Sequence, residues 1–547
     1  MANVLGINAV FHDPAAALVV DGEVVAAAEE ERFTRRKHGK EPVPFSTWEL
    51  PLEAARWCLA HAGLAPADLD AVTYSYDPQL GAPVDGDLTR DEWEPLRTLY
   101  AQRAGRFLGT ALPGLDPLAV GHVAHHVAHA ASAYLAAPFD DCAVLVLDGR
   151  GERASHLGGH VRGGSLEVLA SQALPHSLGL LYEEVTAHLG FRRSSDEYKV
   201  MALASYGEPA FLRTFERAVV VGEDGGFRTD PIDLSALAPR RRPGEEVREE
   251  HIQLAASLQA RLEVAVLELA GWLHAATGAD GIALAGGVAL NCVANARLAA
   301  EGPFREVWVQ PAAGDAGTAL GGALYRAHQL GDDVRPMASA ALGRGWTDAE
   351  VEAELRTAKV PYRRTDDVAG AVAGALADDA VVAWFQGRSE WGPRALGHRS
   401  LLADARRVEN LERLNDVKGR EQFRPVAPMV TLDRAAEVFA GRIPSPHMLF
   451  VHDVRDGWRD RIPAVVHVDG TARAQTVDPA EEPLMAAVLD RFDQLTGVPV
   501  VVNTSLNTAG RPMVDTPRDA LELFGSSPVD LLAIGPFLVE RASWTTS

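Results

Sequence analysis

The chain opens on a β pattern. Val4-Leu5-Gly6-Ile7 is a short apolar run, and Asn8 to Pro14 is a polar loop that holds His12 and Asp13. Ala15 to Val20 is a second apolar run, Asp21-Gly22 a hairpin turn, and Glu23 to Ala28 a third strand. The plan recurs after residue 140. Cys142 to Leu147 is apolar, Asp148-Gly149-Arg150-Gly151-Glu152 is an acidic glycine-rich loop, and turns are predicted at Gly158-Gly159 and Gly163-Gly164. Two strand–loop–hairpin units in one chain predict an internal duplication. Helices are predicted over Pro51 to Gly63 and Pro117 to Ala137. A longer one runs from His251 to Gly278, where Leu254, Leu258, Leu262, Val266, Leu269 and Leu273 step mostly by four. Gly281 to Ala285 then reads as a buried strand, followed by Gly286-Gly287 and a helix from Val288.

The composition shifts between Ala338 and Asp348, which places a domain boundary there and predicts units 1–345 and 346–547. Beyond it helix and strand patterns alternate: Val368 to Ala377 helical, Val381 to Phe385 and Val498 to Val502 extended. This is a second α/β lobe. At 547 residues the chain has ample length for a core without disulfide or metal staples.

Charge narrows the function. With 52 basic and 75 acidic residues the net charge is −23, which argues against a protein that coats nucleic acid or a membrane surface. Cys58, Cys142 and Cys292 are far apart and form no CxxC, so they are expected to be reduced thiols in a cytoplasm. No Lys or Arg precedes Arg32, so no signal peptide is expected. The longest stretch without Asp, Glu, Lys or Arg, Pro117 to Phe139, contains four histidines and is not read as membrane-spanning.

Those histidines are the first candidate chemistry. On one helix His122, His125, His126 and His129 fall within an arc of about 100°. They offer two i,i+4 pairs, His122/His126 and His125/His129, either of which could bring two imidazoles to one metal. Asp148 and Asp315 sit in loops that could complete the ligand set. Imidazole with carboxylate suits iron, manganese or zinc. His12 is a candidate general base, against the plainer reading of His12-Asp13 as a turn before Pro14. The second lobe carries a dense cationic motif, Gly387 to Ser400, with Arg388, Arg394 and Arg399. Lys418, Arg420, Arg424, Arg473 and Arg511 follow. Guanidinium forks suit phosphate and carboxylate. Asn503 to Asn507 adds neutral donors, and no Walker-type loop is present.

Taken in order, Asn8 to Asp13, His125 to His129, Asp148 to Glu152, Tyr198 to Met201, Gly286 to Asn291, Glu390 to Ser400, Phe423-Arg424-Pro425 and Asn503 to Leu506 resemble the O-carbamoyltransferases of nodulation-factor, cephem, ansamycin and tobramycin modification. The resemblance spans essentially the whole chain. It implies an ASKHA-type duplicated RNase-H-like domain followed by a YrdC-like α/β domain. It also implies a two-step reaction, in which carbamoyl phosphate and ATP give carbamoyl-adenylate and an acceptor hydroxyl then takes the carbamoyl group. By the same resemblance the metal ligands are His125, His129, Asp148 and Asp315, holding Fe2+ or another divalent ion such as Mn2+ or Zn2+. Gly286, Gly287 and Asn291 are nucleoside contacts. Arg394, Lys418, Arg424, Arg473 and Ser505 form the site for carbamoyl phosphate and ATP with Mg2+, and His12 stands beside the acceptor. The acceptor itself is sought around Asp77 to Leu115 and Ala210 to Pro243. Competing readings are an ASKHA-type small-molecule kinase and a non-enzymatic ATP- and metal-binding regulatory module. Metal-dependent peptide hydrolysis ranks below them, because the glutamate of an HExxH helix is absent.

Overall fold

The computed structural model describes residues 2–39, 49–81 and 94–541. The chain divides into two compact units between Ala338 and Ser339, inside the 338–348 stretch and ahead of the expected 345/346 boundary.

The N-terminal unit is built from two five-stranded sheets. The first contains β1 (Asn3–Asn8), β2 (Ala15–Val20), β3 (Glu23–Glu29), β4 (Ala71–Tyr74) and β5 (Val120–His122), in the order β3-β2-β1-β4-β5. β1, β2 and β3 are antiparallel neighbours, and β4 and β5 run parallel to β1. The second contains β6 (Asp141–Leu147), β7 (Ala154–Arg162), β8 (Ser165–Ala173), β11 (Gly281–Ala285) and β12 (Glu306–Val309). A small hairpin of β9 (Val219–Val221) and β10 (Phe227–Thr229) lies between them in sequence. The second sheet has the order β12-β11-β6-β7-β8. Its directions repeat the first: β6, β7 and β8 antiparallel, β11 and β12 parallel to β6. Read from the first strand of each, both sheets follow one connectivity, which is the duplicated RNase-H-like plan of an ASKHA-type domain. Leu5, Ile7, Leu18, Val72 and Tyr74 fill the core beside the first sheet with Leu59 and Leu108, each contributing roughly 1.5–3 kcal/mol by burial.

Two helices take opposite sheets. His125–Tyr134 packs on β6, β7 and β11, and Ala316–Gln329 packs on β1, β2 and β4; the two also pack on each other. Gly321 allows that approach. A Cβ there would lie 1.8 Å from the Ala128 carbonyl oxygen and 2.6 Å from the Ser132 nitrogen.

Several local expectations are corrected. Pro117 to Ala137 is not one helix: a short 3-10 turn and β5 precede the helix His125–Tyr134. β5 pairs in parallel with β4, so His122 is a strand residue whose Nε2 meets the Ala101 carbonyl at 2.9 Å. It has left the histidine arc, and with it goes the His122/His126 pair. Gly158-Gly159 is not a turn but the middle of β7, at a shift in register against β8. A Cβ on Gly159 would meet Leu166 at 2.7 Å, so Gly159 serves close packing. The hairpin turn is Gly163-Gly164, both at positive φ. The helix after Gly286-Gly287 begins at Cys292, following a 3-10 turn over Gly287–Leu290.

The C-terminal unit is α/β, with a mixed eight-stranded sheet. At its centre Val382–Phe385 pairs in parallel with Leu531–Ile534 and antiparallel with Arg399–Asp404. The last of these pairs antiparallel with Val500–Ser505. Helices Val368–Ala377 and Pro483–Thr496 cover one face. Among the described residues no helix is long and apolar enough to cross a membrane.

Candidate metal centre and anion site

The candidate residues of the N-terminal unit follow the carboxyl ends of parallel strands, where loops of α/β sheets gather ligands. His12 follows β1, His125 and His129 follow β5, Asp148 follows β6, Gly286 and Gly287 follow β11, and Asp315 follows β12. His125, His129, Asp148 and Asp315 are all buried and bring one donor atom each within 4.8 Å of the others. His125 Nε2 lies 3.6 Å from both Asp148 Oδ2 and Asp315 Oδ1. His129 Nε2 lies 3.8 Å and 3.6 Å from the same atoms.

These separations exceed a hydrogen bond, and both Nε2 atoms lack a hydrogen-bond partner. They are close to the edge of a ligand cage, since bonds of about 2.0–2.2 Å in a tetrahedron put donors roughly 3.3–3.6 Å apart. Two carboxylates beside two neutral imidazoles leave two negative charges in a dry cavity, which calls for a divalent cation. Without one, protons take that part. Burial opposes a charge on His125, but Asp148 and Asp315 outweigh it and hold the imidazolium well above its ordinary range. Burial likewise opposes charge on Asp148, and the histidines outweigh it to keep the carboxyl well below its usual range. The donor set therefore fits a divalent metal.

The surrounding contacts orient this set. His125 Nδ1 lies 3.1 Å from the Ser75 carbonyl, which fixes the hydrogen on Nδ1 and frees Nε2 as a ligand. The Glu152 carboxylate accepts from the His125 amide at 2.9 Å and from the Asp77 amide at 2.7 Å, clamping the start of the helix. Each aspartate divides its oxygens. Asp148 Oδ1 accepts from the Gly287 amide at 3.0 Å, and Asp315 Oδ2 accepts from the His12 amide at 2.9 Å. His126 Nε2 also lies 3.6 Å from Asp148 Oδ2, although His126 is outside the four-donor set.

The glycine pair is built for close approach. Gly286 has φ 89°, and a Cβ there would lie 2.2 Å from the Leu147 carbonyl oxygen. The Asn291 side chain is engaged inside the protein: its Oδ1 caps the next helix through the Ala294 amide at 3.0 Å, and its Nδ2 donates to Gln259 at 2.8 Å. Asn291 thus shapes the loop from below. Of the two segments expected to hold an acceptor, residues 82–93 lie outside the described residues.

In the C-terminal unit two arginines of the cationic motif are bonded to backbone carbonyls. Arg388 donates to the carbonyls of Gly343 and Leu342. Arg399 is fully buried, lies 3.7 Å over the Phe385 ring and donates to the carbonyls of Gln386, His398, Gly387 and Arg344. These two brace the loop. Glu390, which sequence reasoning gave no role, staples it: Oε1 accepts from the amides of Leu396, His398 and Arg399 at 2.8–3.0 Å. Arg394 is half-buried on that loop. Asn503 Nδ2 donates to the Ala395 carbonyl at 3.0 Å and to Gln475 Oε1 at 2.7 Å, and Gln475 donates to the Leu396 carbonyl at 2.8 Å. The segments carrying Arg394, Arg473 and Ser505 are thereby tied together. Lys418 Nζ contacts Ser505 Oγ at 2.9 Å and Asn507 Oδ1 at 2.6 Å. Arg424 is half-buried and pairs with Glu421 at 3.6 Å, while its carbonyl accepts from Asn415 at 3.1 Å.

Comparison with known proteins agrees across both units. The family description Carbamoyltransferase N-terminus matches residues 3–83 and 108–324, and Carbamoyltransferase C-terminus matches 373–541. Nodulation protein NolNO of Sinorhizobium fredii is 38% identical over 98% of this chain and 80% of its own length. Nodulation protein NolO of Bradyrhizobium diazoefficiens is 38% identical over 76% of this chain and 78% of its own. An uncharacterized protein of Synechocystis is 36% identical over 99% of this chain and 97% of its own. The chain belongs to the carbamoyltransferase family and is a carbamoyltransferase.

Proposed function

We propose that the chain is an ATP-dependent O-carbamoyltransferase acting on a hydroxyl of a small natural product or sugar. The observation that carries this reading is the buried two-histidine, two-aspartate cluster in a member of a carbamoyl-transferring family. In the first step, assigned to the YrdC-like C-terminal unit, carbamoyl phosphate loses inorganic phosphate to water. A carbamate oxygen then attacks the α-phosphorus of Mg2+-bound ATP, and pyrophosphate leaves. Arg394, Lys418, Arg424 and Arg473 gather positive charge against the phosphates and stabilise the charge that develops on the departing pyrophosphate. Ser505, held by Lys418, presents a hydroxyl to the same ligand.

In the second step, assigned to the N-terminal unit, the acceptor oxygen attacks the carbamoyl carbon of the adenylate and AMP leaves. A divalent cation, Fe2+ or else Mn2+ or Zn2+, held by His125, His129, Asp148 and Asp315 would supply Lewis acidity to the adenylate phosphate. Gly286 and Gly287 let the nucleotide approach the backbone closely, and His12 takes the acceptor proton. The substrates are small molecules in a cytoplasmic setting; the charge of −23 supports no nucleic-acid partner.

The test incubates purified protein with ATP, carbamoyl phosphate and a panel of hydroxyl compounds, and follows nucleotides together with acceptor mass. AMP, pyrophosphate and the gain of one carbamoyl group are expected. ADP with a phosphorylated acceptor would replace this reading by a kinase of the same fold.

A further inference from the structure

The loop around His12 is strained and heavily braced. Phe11 and Asp13, on either side of His12, both hold left-handed backbone at φ 54° and 42°. Such conformations are strained for non-glycine residues and persist where surrounding contacts enforce them. Asn8 supplies part of that enforcement. Its Nδ2 donates to the carbonyls of His12 and Asp13 at 2.8 and 3.0 Å, and its Oδ1 accepts from the Val10 amide and Ser75 Oγ. The His12 amide is held by Asp315.

This backbone places the Asp13 carboxylate between two imidazoles. Asp13 Oδ2 lies 2.9 Å from His12 Nδ1, and Asp13 Oδ1 lies 2.9 Å from His38 Nδ1. The ring centroids are 4.3 Å apart. On the far side His38 Nε2 lies 2.7 Å from Ser195 Oγ. An ionised carboxylate only accepts hydrogen bonds, so each Nδ1 carries its hydrogen and each Nε2 bears the lone pair. His38 then accepts the Ser195 hydroxyl, which keeps its ring from turning.

We propose that Asp13 is the positioning residue of the transfer step, fixing His12 as the Nδ1–H tautomer with Nε2 as the base, and that His38, anchored on Ser195, holds the other Asp13 oxygen in place. The proposal rests on the reading of His12 as the base for the acceptor. In that step the acceptor O–H proton passes to His12 Nε2 while Nδ1–H stays on Asp13. The acceptor oxygen bonds to the carbamoyl carbon, and the electron pair of the broken C–O bond leaves on the AMP phosphate. The competing account, a turn-forming aspartate before Pro14, explains neither the second histidine nor its serine.

The first experiment reads the wild-type rings. Full-length Zn2+-loaded protein with 15N-labelled histidine is studied by 15N–1H correlation at mildly alkaline pH, with signals assigned by their loss in H12Q and H38Q. Both rings are expected as Nδ1–H tautomers; an Nε2–H tautomer at His12 overturns the proposal. The second is kinetic. In D13N the amide oxygen can accept from one ring only, while its NH2 faces the other. Carbamoyl transfer is expected to fall by about 10²–10⁴-fold in kcat, the contribution typical of a positioned general base. The first-turnover burst of carbamoyl-phosphate-dependent pyrophosphate, which precedes transfer, should keep its wild-type rate and amplitude. Transfer by D13N at the wild-type rate overturns the proposal, as does loss of the first-turnover pyrophosphate burst. Wild-type transfer by H12Q would instead remove the reading of His12 as base. If D13N does not fold, the tautomer measurement decides.

Discussion

Gly321→Ala tests how the candidate metal centre is held together. The Cβ added to the helix Ala316–Gln329 would stand 1.8 Å from the Ala128 carbonyl oxygen, a contact that has to open to at least 3.0 Å. The helix carrying His125 and His129 must therefore move by 1.2 Å or more relative to the helix that Asp315 immediately precedes. The effect on folding should be moderate. Alanine in place of glycine favours a helix by about 1 kcal/mol, and overpacking costs about 1–3 kcal/mol, so the net loss is at most roughly 2 kcal/mol. The effect on the metal should be larger, because ligand distances tolerate only about 0.2 Å. We expect affinity for a divalent ion to fall at least about 100-fold, which is about 2.7 kcal/mol. The assay is Co2+ titration of metal-free protein against a competing chelator, with thermal melts in the presence and absence of metal. Wild type should gain stability on loading, and the variant should lose most of that gain. Gly271→Ala is the control: it sits in the helix Glu249–Thr277 with nothing within 4 Å of the new Cβ, and should bind metal normally. Affinity in Gly321→Ala within about threefold of wild type, with an unchanged melt, would refute the argument that this crossing sets the ligand geometry.

Three further outcomes are expected. Lys418→Met should abolish pyrophosphate release and lower stability by about 1–3 kcal/mol, because Ser505 and Asn507 lose a buried donor; denaturant melts and a pyrophosphate assay check both. Burial pushes the Glu30 carboxyl up to about 7 although the amides of Glu53 and Ala54 donate to it. An acid raised in the folded state keeps its contribution at low pH and loses it as pH rises towards 7, so wild type should lose up to about 3 kcal/mol between pH 4.5 and 7.5 relative to Glu30→Gln, read from urea melts across that range. Asn291→Ala should act mainly on stability, by about 0.5–2 kcal/mol for the lost helix cap, seen as a lower melting temperature with metal binding retained.

Local chemistry was legible in the sequence, and long-range pairing was not. His125 and His129 are one helical turn apart, and Asp148 follows an apolar strand, so residue type and spacing marked them as candidates, while the choice of this histidine pair over His122/His126 came from the family resemblance. The duplication was readable because both halves open with the same strand, loop and hairpin pattern. His122 was misplaced because a short strand at an edge buries little and leaves no periodic signature; its pairing partners, Val72 to Tyr74, lie some fifty residues earlier. Gly158-Gly159 had the composition of a turn, yet cross-strand crowding by Leu166 decided its place. In the cationic motif, sequence showed the concentration of arginine. Only the fold showed that Arg388 and Arg399 are spent on backbone carbonyls. The Asp13–His38–Ser195 arrangement had no local signal, because its members are separated by 25 and 157 residues.

The divided duty of the two aspartates has a thermodynamic consequence. Each offers one oxygen to the cluster and the other to a backbone amide, Gly287 for Asp148 and His12 for Asp315. Ion occupancy and the settling of both loops are thus legs of one thermodynamic cycle. By reciprocity, whatever free energy a nucleotide or an acceptor gains from a loaded cage must reappear as tighter retention of the ion when either is bound.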